Sequence, residues 1–384
     1  ALATLVAIVP SIFTGNWNYW VYTALSFLVM SCPCALVISV PLAFFGGMGA
    51  VSKAGMIAKG GIALENLAKV DTVAFDKTGT LTYGRLEVCD IISFDPKISE
   101  DTLLSLAASA EAKSEHPLGK AIVAYAKNCN ITVLESDCFK MTAGKGIYAE
   151  VDGKKLLCGN ENYLLNYGVE INVIVRSMLE ELRAQGKASV LVADDSACIG
   201  VLAMSDVLRP EAKNMVERLH SMNTNIVLLT GDNQKTADYF ARQVGIRQIR
   251  AQLLPEEKVS NIAAIQNEGK AVCMIGDGVN DAPALKTANV GVAMGGLGSD
   301  IAVDAADIVL MGDDISKLPY LKRLSNATVK TIKFSICLSM CINLLAVLLS
   351  VMGVLNPTTG ALVHNAGSCF VVLIAALLYD RKLD

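Results

Sequence analysis

The stretch Asp76-Lys77-Thr78-Gly79-Thr80 directly follows the apolar run Thr72-Val73-Ala74-Phe75, and this junction decides the fold. A short apolar run that ends at a polar turn is typical of a buried strand. Open α/β sheets bind their ligands at the carboxyl ends of the strands, which is where Asp76 would lie. A carboxylate there can attack a phosphorus atom, and Thr78 and Gly79 offer backbone amides with little bulk to phosphate oxygens. We therefore predict a nucleophile at Asp76.

Two later apolar runs end in similar polar turns. Residues 226–229 lead into Thr230-Gly231-Asp232-Asn233, and residues 271–275 lead into Gly276-Asp277-Gly278. Helical patterns alternate with these runs from about residue 205 onward. The sequence therefore predicts a doubly wound parallel sheet, with the polar turns at one common edge.

These strand ends collect side chains suited to phosphate and Mg²⁺. Thr230 can bind a phosphate oxygen, and Lys258 can neutralise phosphate charge. Mg²⁺ takes few carboxylates together with phosphate oxygens and water, which suits the acidic cluster Asp277, Asn280 and Asp281. Each motif alone could be a surface turn or a tight loop. Their joint occurrence, in this order and each after an apolar strand, favours a phosphoryl-transfer site.

The ends of the chain are apolar enough to be membrane segments. The 384 residues are 53% hydrophobic with a net charge of −4, which gives no reason to expect nucleic acid as a partner. We predict membrane helices in the apolar stretches, and Lys53 and Lys59 place the following residues in the cytoplasm. The stretches are 2–13 (too short to span alone), 21–51, 331–354 and 358–379.

A Cys-Pro-Cys sequence interrupts the second apolar stretch. Pro33 removes a backbone hydrogen bond, so the helix must kink or unwind there. Broken helices near the bilayer midplane are where transporters bind ions, and the thiolates of Cys32 and Cys34 are soft ligands. The alternative is two small side chains that fill space beside a structural proline. The six cysteines of the soluble part are interpreted as free buried thiols: Cys89, Cys129, Cys138, Cys158, Cys198 and Cys273.

The motifs at Asp76–Thr80, Thr230–Asn233 and Gly276–Asp281 resemble the signature of the P-type ATPases. The resemblance implies a haloacid-dehalogenase-like α/β phosphorylation domain, an inserted α+β nucleotide-binding domain and α-helical transmembrane segments. It implies ATP-driven ion transport in which Asp76 is phosphorylated, with Mg²⁺ held by Asp76, Thr78 and Asp277. Asp206, Arg209 and Pro210 match the family's hinge between the two soluble domains.

The implied organisation alternates membrane and cytoplasmic parts. Membrane helices are expected in 1–55 and 326–384. The phosphorylation domain is expected in two parts, 56–94 and 201–325, on either side of a nucleotide-binding domain at 95–200. By the resemblance, the protein is a multi-pass protein of the bacterial plasma membrane, a monomer, with its soluble domains in the cytoplasm.

The inserted domain resembles that of the heavy-metal-transporting (type IB) branch, through Ser114-Glu115-His116-Pro117 and the glycines that follow. From the residues alone, His116 is equally well explained as the start of a helix before Pro117. The resemblance implies that six residues bind ATP: Glu111, His116, Gly144, Gly146, Gly159 and Asn160.

The last two helices depart from the zinc, cadmium and lead group, in which a lysine and an aspartate are expected. Asn343 falls near the lysine position, and His364 falls where the aspartate would be. Polar residues inside an apolar span are functional candidates. His364 could be an imidazole ligand, or it could cap the helix or lie at the outer interface. Two thiolates with an imidazole favour Zn²⁺, Cd²⁺ or Pb²⁺ as the exported cation.

Other functions remain as alternatives. Copper, manganese or cobalt could be the transported metal, and a membrane-anchored phosphatase or a metal sensor with a degenerate ATPase domain are more remote. The family's actuator domain and earliest membrane helices are not found in the sequence. We therefore expect a fragment that binds ATP but does not complete a transport cycle alone.

Overall fold

The computed structural model describes residues 2–30, 34–142, 144–194, 197–296 and 300–381. Its α-helices are α1 Leu2–Thr14, α2 Trp17–Met30, α3 Cys34–Lys53, α4 Gly61–Lys69, α5 Glu100–Glu111, α6 Pro117–Asn128, α7 Glu161–Asn166, α8 Val173–Ala184, α9 Ala212–Ser221, α10 Gln234–Val244, α11 Pro255–Asn267, α12 Ala282–Thr287, α13 Asp300–Ala305, α14 Leu318–Val351 and α15 Pro357–Ala376. Its strands are β1 Met56–Ala58, β2 Thr72–Asp76, β3 Thr82–Ser93, β4 Cys138–Thr142, β5 Gly146–Val151, β6 Lys154–Gly159, β7 Ala188–Ala193, β8 Cys198–Leu208, β9 Asn225–Leu229, β10 Gln248–Arg250, β11 Val272–Gly276, β12 Val290–Met294 and β13 Ile308–Leu310.

One sheet has seven strands in the order β1-β13-β12-β11-β2-β9-β10. All neighbours are parallel except β1, which pairs antiparallel with β13 at the edge. Buried apolar side chains of the central strands, including Phe75, Leu228 and Ile275, form the core against the flanking helices. The predicted doubly wound parallel sheet is confirmed. Because β2 lies between β9 and β11, their three polar turns meet at one edge.

The other sheet has six antiparallel strands in the order β3-β8-β7-β6-β5-β4. A hairpin joins β5 to β6: Val151 pairs with Lys154, and both Asp152 (φ 49°) and Gly153 (φ 71°) take the left-handed conformation of a two-residue turn. Strands β3 and β8 carry this sheet from Thr82 to Leu208, beyond the interval 95–200. The domain boundaries stay predictions.

Three helical stretches among the described residues are long and apolar enough to cross a membrane: Trp17–Lys53, Ile315–Ser350 and Thr358–Asp380. The first range includes α2 and α3, and the predicted helix break at Cys32 and Pro33 between them lies outside the described residues. Helix α14 begins at Leu318, well before the predicted start at 331. Its buried Lys322 donates a hydrogen bond to the carbonyl of Val70, just before β2. One continuous helix therefore joins the seven-stranded sheet to the apolar bundle.

The cysteines of the soluble part are free, as predicted, but they are not all buried. Cys158 and Cys273 are buried, whereas Cys89 and Cys129 are exposed. Cys129 follows the last residue of α6, and Cys89 lies on β3, where alternate side chains face outward. The expectation of buried thiols was therefore wrong at these two positions.

Candidate functional site

The Lys258 ammonium bridges two aspartates at the edge of the seven-stranded sheet. Its Nζ lies 2.6 Å from Asp76 Oδ1 and 2.7 Å from Asp281 Oδ1, and all three side chains are buried. Asp76 is the last residue of β2, Lys258 lies in the first turn of α11, and Asp281 precedes α12. The structure therefore brings together three of the predicted site residues.

Burial sets the electrostatics of this cluster. The pKa of Asp76 is raised to about 7, first by burial and then by the charge of Asp281, while Lys258 opposes both effects. Burial lowers the pKa of Lys258, but Asp76 and Asp281 outweigh it, so that the net shift is upward. The lysine therefore stays cationic while Asp76 is held near its titration point at neutral pH.

Asp277 completes a carboxylate group that could hold a cation. One oxygen from each of Asp76, Asp277 and Asp281 lies within 4.8 Å of the others. Burial raises the pKa of Asp277 to about 6, with the charge of Asp281 as the next cause. Three hard carboxylate oxygens, one of them from the predicted nucleophile Asp76, fit the preferences of Mg²⁺. The donor set therefore suits the predicted Mg²⁺.

Gly79 is required by the close approach of Asp277. Its φ is +72°, and a Cβ built on it would lie 1.6 Å from Asp277 Oδ2. Any side chain at this position would overlap the carboxylate. The turn after Asp76 therefore fits against the neighbouring polar turn only because residue 79 is glycine.

The remaining predicted residues of this edge lie around the cluster. Thr230 is buried at the end of β9, and its Oγ1 accepts a hydrogen bond from Asp232 N at 3.2 Å. Thr78 and Asn280 lie on the turns after β2 and β11 with exposed side chains. The structure therefore places these two at the rim of the site, and their roles stay predictions.

A second ion pair at this edge was missed from the sequence. Lys77 Nζ lies 2.6 Å from Asp232 Oδ2 and 4.9 Å from the centre of the Phe240 ring. Lys77 is buried, so its charge depends on this carboxylate and ring. The signal was present, because Lys77 and Asp232 occur in two of the three motifs that the sequence singles out.

Arg209 ties the junction of the two sheets to the turn after Asp76. Its guanidinium donates to the carbonyls of Thr82 (3.2 Å), Gly79 (3.3 Å) and Asp313 (2.9 Å). It also lies over the Tyr83 ring, 4.6 Å from its centre. The predicted hinge residue thus holds the backbone of the nucleophile turn directly.

A cavity of about 470 Å³ opens at one side of the six-stranded sheet. Its lining includes every residue predicted to bind ATP: Glu111, His116, Gly144, Gly146, Gly159 and Asn160. His116 also begins helix α6, since its Nδ1 accepts a hydrogen bond from Leu118 N at 3.3 Å. The two explanations of His116 are therefore compatible.

Glu111 gives this cavity a buried polar end. Burial raises the pKa of its carboxyl, which Ser114 partly offsets, and Oε2 has no hydrogen-bond partner among the described residues. A buried carboxyl oxygen without a partner costs about 1–3 kcal/mol. A polar group of a ligand that enters the cavity would supply the missing bond.

Lys145 was not predicted as a site residue. Among the described lining residues, it is the only lysine or arginine. Its carbonyl accepts a hydrogen bond from Asn160 N at 3.0 Å, and its N donates to Thr142 O at 3.1 Å. The backbone is thus fixed while the side chain is exposed at the cavity. Its place between Gly144 and Gly146 was the available signal.

In the apolar bundle, His364 Nδ1 lies 3.1 Å from Asn343 Oδ1. His364 is buried inside α15, and this helix begins instead at Asn356, whose side chain accepts a hydrogen bond from Thr359 N. The interpretation of His364 as a helix cap is therefore wrong. The two candidate ligands predicted from the sequence in the last helices, Asn343 and His364, contact each other.

Contacts between the helices give the level of Cys34 relative to this pair, that is, its position along the axis of the helix bundle. A Cβ on Gly47 would lie 2.7 Å from Thr328 Oγ1, and one on Gly46 would lie 3.3 Å from Ala375 O. Distances along the helix axes can be counted from these contacts at a rise of about 1.5 Å per residue. Cys34 then lies about 18 Å from them, His364 about 17 Å and Asn343 about 23 Å. Cys34 thus begins α3 within about one helical turn of the pair's level.

Comparison with known families gives one match that covers more than half of the chain. The model of the haloacid dehalogenase-like hydrolases matches residues 70–289. This range begins just before β2 and ends just before β12. It includes Asp76, Lys258, Asp277 and Asp281.

Individual relatives match the chain from end to end. A probable cadmium-transporting ATPase of Staphylococcus aureus is 39% identical over all of this chain and 53% of its own length. A copper-exporting P-type ATPase of Staphylococcus epidermidis is 36% identical, over 47% of its length. The crystal structure of a zinc-transporting PIB-type ATPase in its E2.Pi state is 34% identical with a TM-score of 0.91, over 98% of this chain and 61% of that one. The chain spans about half the length of the curated relatives it matches.

Proposed function

The chain belongs to the haloacid dehalogenase-like hydrolases and, within them, to the heavy-metal-transporting P-type ATPases; we propose that it is the catalytic and cation-binding part of an ATP-driven exporter. The cation we favour is Zn²⁺, Cd²⁺ or Pb²⁺. The observation that carries the proposal is the buried group of Asp76, Lys258 and Asp281, with Asp277 beside it. A buried carboxylate paired with a single lysine at a strand end is suited to accept a phosphoryl group.

In the proposed reaction, Asp76 attacks the γ-phosphorus of ATP. Its Oδ1 is held by Lys258, so Oδ2 is the oxygen that forms the new P–O bond. The bond between the γ-phosphorus and the bridging oxygen breaks, and ADP leaves with that electron pair. Lys258 and the hydroxyl of Thr230 then neutralise and orient the phosphoryl oxygens.

Mg²⁺ would be held by Asp76, Asp277 and Asp281, and it would supply positive charge to the transferring phosphoryl group. The cavity beside the six-stranded sheet would take the nucleotide. Glu111 at its buried end would bond the base, and Lys145 at its exposed side would face the phosphates. Arg209, which holds the Gly79 carbonyl, would keep the nucleophile turn in place when the two sheets approach each other.

The exported cation would bind at the level of Cys34 and His364. The donor set would consist of two sulfur ligands, the thiolates of Cys32 and Cys34, and one nitrogen ligand, the imidazole of His364. Such a set suits Zn²⁺ or Cd²⁺. This assignment is supported by the shared level of Cys34 and His364 in the bundle, and by the cadmium-transporting and zinc-transporting relatives.

Copper is the second candidate, because copper-exporting P-type ATPases are 36% identical to this chain. Cu⁺ favours soft sulfur ligands and does not need an imidazole. A copper site would therefore depend on the two cysteines and be indifferent to His364.

The deciding experiment is ATPase activity of the full-length protein in liposomes, measured with Zn²⁺, Cd²⁺, Pb²⁺, Cu⁺, Co²⁺ and Mn²⁺ in turn. We expect stimulation by Zn²⁺ or Cd²⁺ that is lost in the Cys32→Ser, Cys34→Ser double variant. Stimulation that survives in this variant would contradict the proposed cation site. Preference for Cu⁺ or Mn²⁺ would overturn the choice of metal.

A further inference from the structure

We infer that Asn343 does not bind the transported cation itself but fixes His364 so that Nε2 is the ligand. This inference rests on the proposed function and assigns different roles to the two polar residues of the last helices. Asn343 would be a positioning residue.

The hydrogen bond between the two side chains determines the tautomer of the imidazole. Asn343 Oδ1 carries no hydrogen, so His364 Nδ1 must donate across the 3.1 Å separation. A neutral imidazole has one N–H, and Nε2 therefore carries a lone pair. The ring is also fixed in orientation, because its Nδ1 is tied to α14 while its backbone belongs to α15.

Among the described residues, Nε2 has no hydrogen-bond partner. It is buried, His364 is only 4% exposed, and no described group donates a hydrogen bond to it. An acceptor left unsatisfied in an apolar interior costs about 1–3 kcal/mol. If the pair served only packing, apolar side chains could replace it without loss of stability. A metal ligand, in contrast, must keep its lone pair free of hydrogen bonds until the cation binds.

The arrangement is the one that histidine ligands adopt in metalloproteins. A histidine that binds a metal through one ring nitrogen almost always donates its other N–H to an oxygen acceptor, which fixes the tautomer and increases ligand basicity. Here that acceptor is a carboxamide from the neighbouring helix. Asn343 and His364 would thus act as one unit, with a single nitrogen facing the cation.

The test is binding of Co²⁺ alone to the reduced, detergent-purified protein, for a double-mutant cycle of Asn343→Leu and His364→Ala. We expect Asn343→Leu to weaken binding by about 10–100-fold. We expect the double variant to bind no more weakly than His364→Ala alone, because residues that act through one group are not additive. Additive losses would show that Asn343 is an independent ligand and would overturn the inference.

Two further variants keep the test clear if Asn343→Leu folds poorly. Asn343→Asp can only accept a hydrogen bond, so we expect near wild-type binding; loss equal to that of Asn343→Leu would overturn the inference. Asn326→Leu makes the same change at an exposed site of α14 and should leave binding unchanged.

X-ray absorption at saturating Co²⁺ should show the imidazole nitrogen as a ligand in Asn343→Leu and should not show it in His364→Ala. Absence of cysteine-dependent Co²⁺ binding in the wild type would instead contradict the proposed function.

Discussion

Lys258 Nζ lies 2.6 Å from Asp76 Oδ1, although the two residues are 182 positions apart in the chain. Asp281 shares the same ammonium at 2.7 Å. The lysine therefore pairs with two carboxylates at once, and its charge would keep the buried Asp76 available as the proposed nucleophile. The proposed phosphoryl transfer depends on that balance of charge.

Asp76→Asn should abolish labelling by γ-labelled ATP, because an amide cannot form the acyl phosphate. The measurement is acid-stable, hydroxylamine-sensitive incorporation into the purified protein. Asp101→Asn, at an exposed position in α5, is the matched control and should label like the wild type. Labelling that survives in Asp76→Asn would refute the assignment of the nucleophile.

The same substitution should change how stability depends on pH. The pKa of Asp76 is raised from 3.8 to about 7, so the unfolded chain releases this proton more readily than the folded chain. The free energy of unfolding therefore falls as pH rises from about 4 to about 7 and is level above that. Asp76→Asn removes this term, and we expect a higher melting temperature than the wild type at pH 8 but not at pH 4. A constant difference across this range would contradict the raised pKa.

Lys258→Met should lower labelling by at least about 100-fold, since it leaves the developing phosphoryl charge without its cation. It should also destabilise the protein by about 3 kcal/mol at neutral pH, because the carboxylates of Asp76 and Asp281 lose the ammonium group that pairs with both. Lys270→Met removes an exposed lysine paired with Glu268 and serves as the control. Normal labelling in Lys258→Met would show that the lysine is structural.

Gly79→Ala should strongly reduce labelling through a steric effect on Asp277, because the added Cβ would lie 1.6 Å from Oδ2. We expect a large rise in the Mg²⁺ concentration needed for any remaining activity. Gly312→Ala is the control, since a Cβ there meets no atom within 4 Å and its φ is not positive. Equal behaviour of the two variants in a Mg²⁺ titration would argue against the close approach.

Binding of Mg²⁺ should release protons below neutral pH. The pKa of Asp277 is raised to about 6 by burial and by Asp281, so below this pH the cation must displace a proton. We expect the apparent affinity to weaken by up to about tenfold per pH unit between 7 and 6, where Asp76 takes up its proton, and by up to about a hundredfold per unit below 6, where Asp277 does so as well. Calorimetry in buffers of different ionisation enthalpy measures the protons released. Affinity that is constant between pH 5 and 8 would exclude Asp277 as a ligand.

Lys145→Gln should weaken binding of ATP by about tenfold while adenosine binds as before, because only the phosphates need the charge. Lys155→Gln changes an exposed lysine of β6 that does not line the cavity. Nucleotide titration of each protein gives the comparison. A loss of adenosine affinity equal to that of ATP would indicate a change of the cavity rather than of its charge.

The sequence could predict the parts of this site that lie at strand ends. Asp76, Thr230 and Asp277 each follow a buried apolar run, and the parallel topology requires those ends to meet. It could not predict that Lys77 pairs with Asp232, because that contact depends on how two turns fold over each other. The partner of His364 was hidden for a similar reason: periodicity identifies two apolar helices but not the register in which they pack.

Helix α14 runs unbroken from Leu318 to Val351, bonded through Lys322 to the carbonyl before β2 and through Asn343 to His364. These two attachment points are about 32 Å apart at 1.5 Å per residue. A helix of this length is a stiff rod along its axis. A shift of the strand that carries Asp76 would therefore be transmitted to the imidazole of His364 as a rigid-body movement of the helix. In the proposed exporter, this one helix would couple phosphorylation of Asp76 to movement of the imidazole at the cation site.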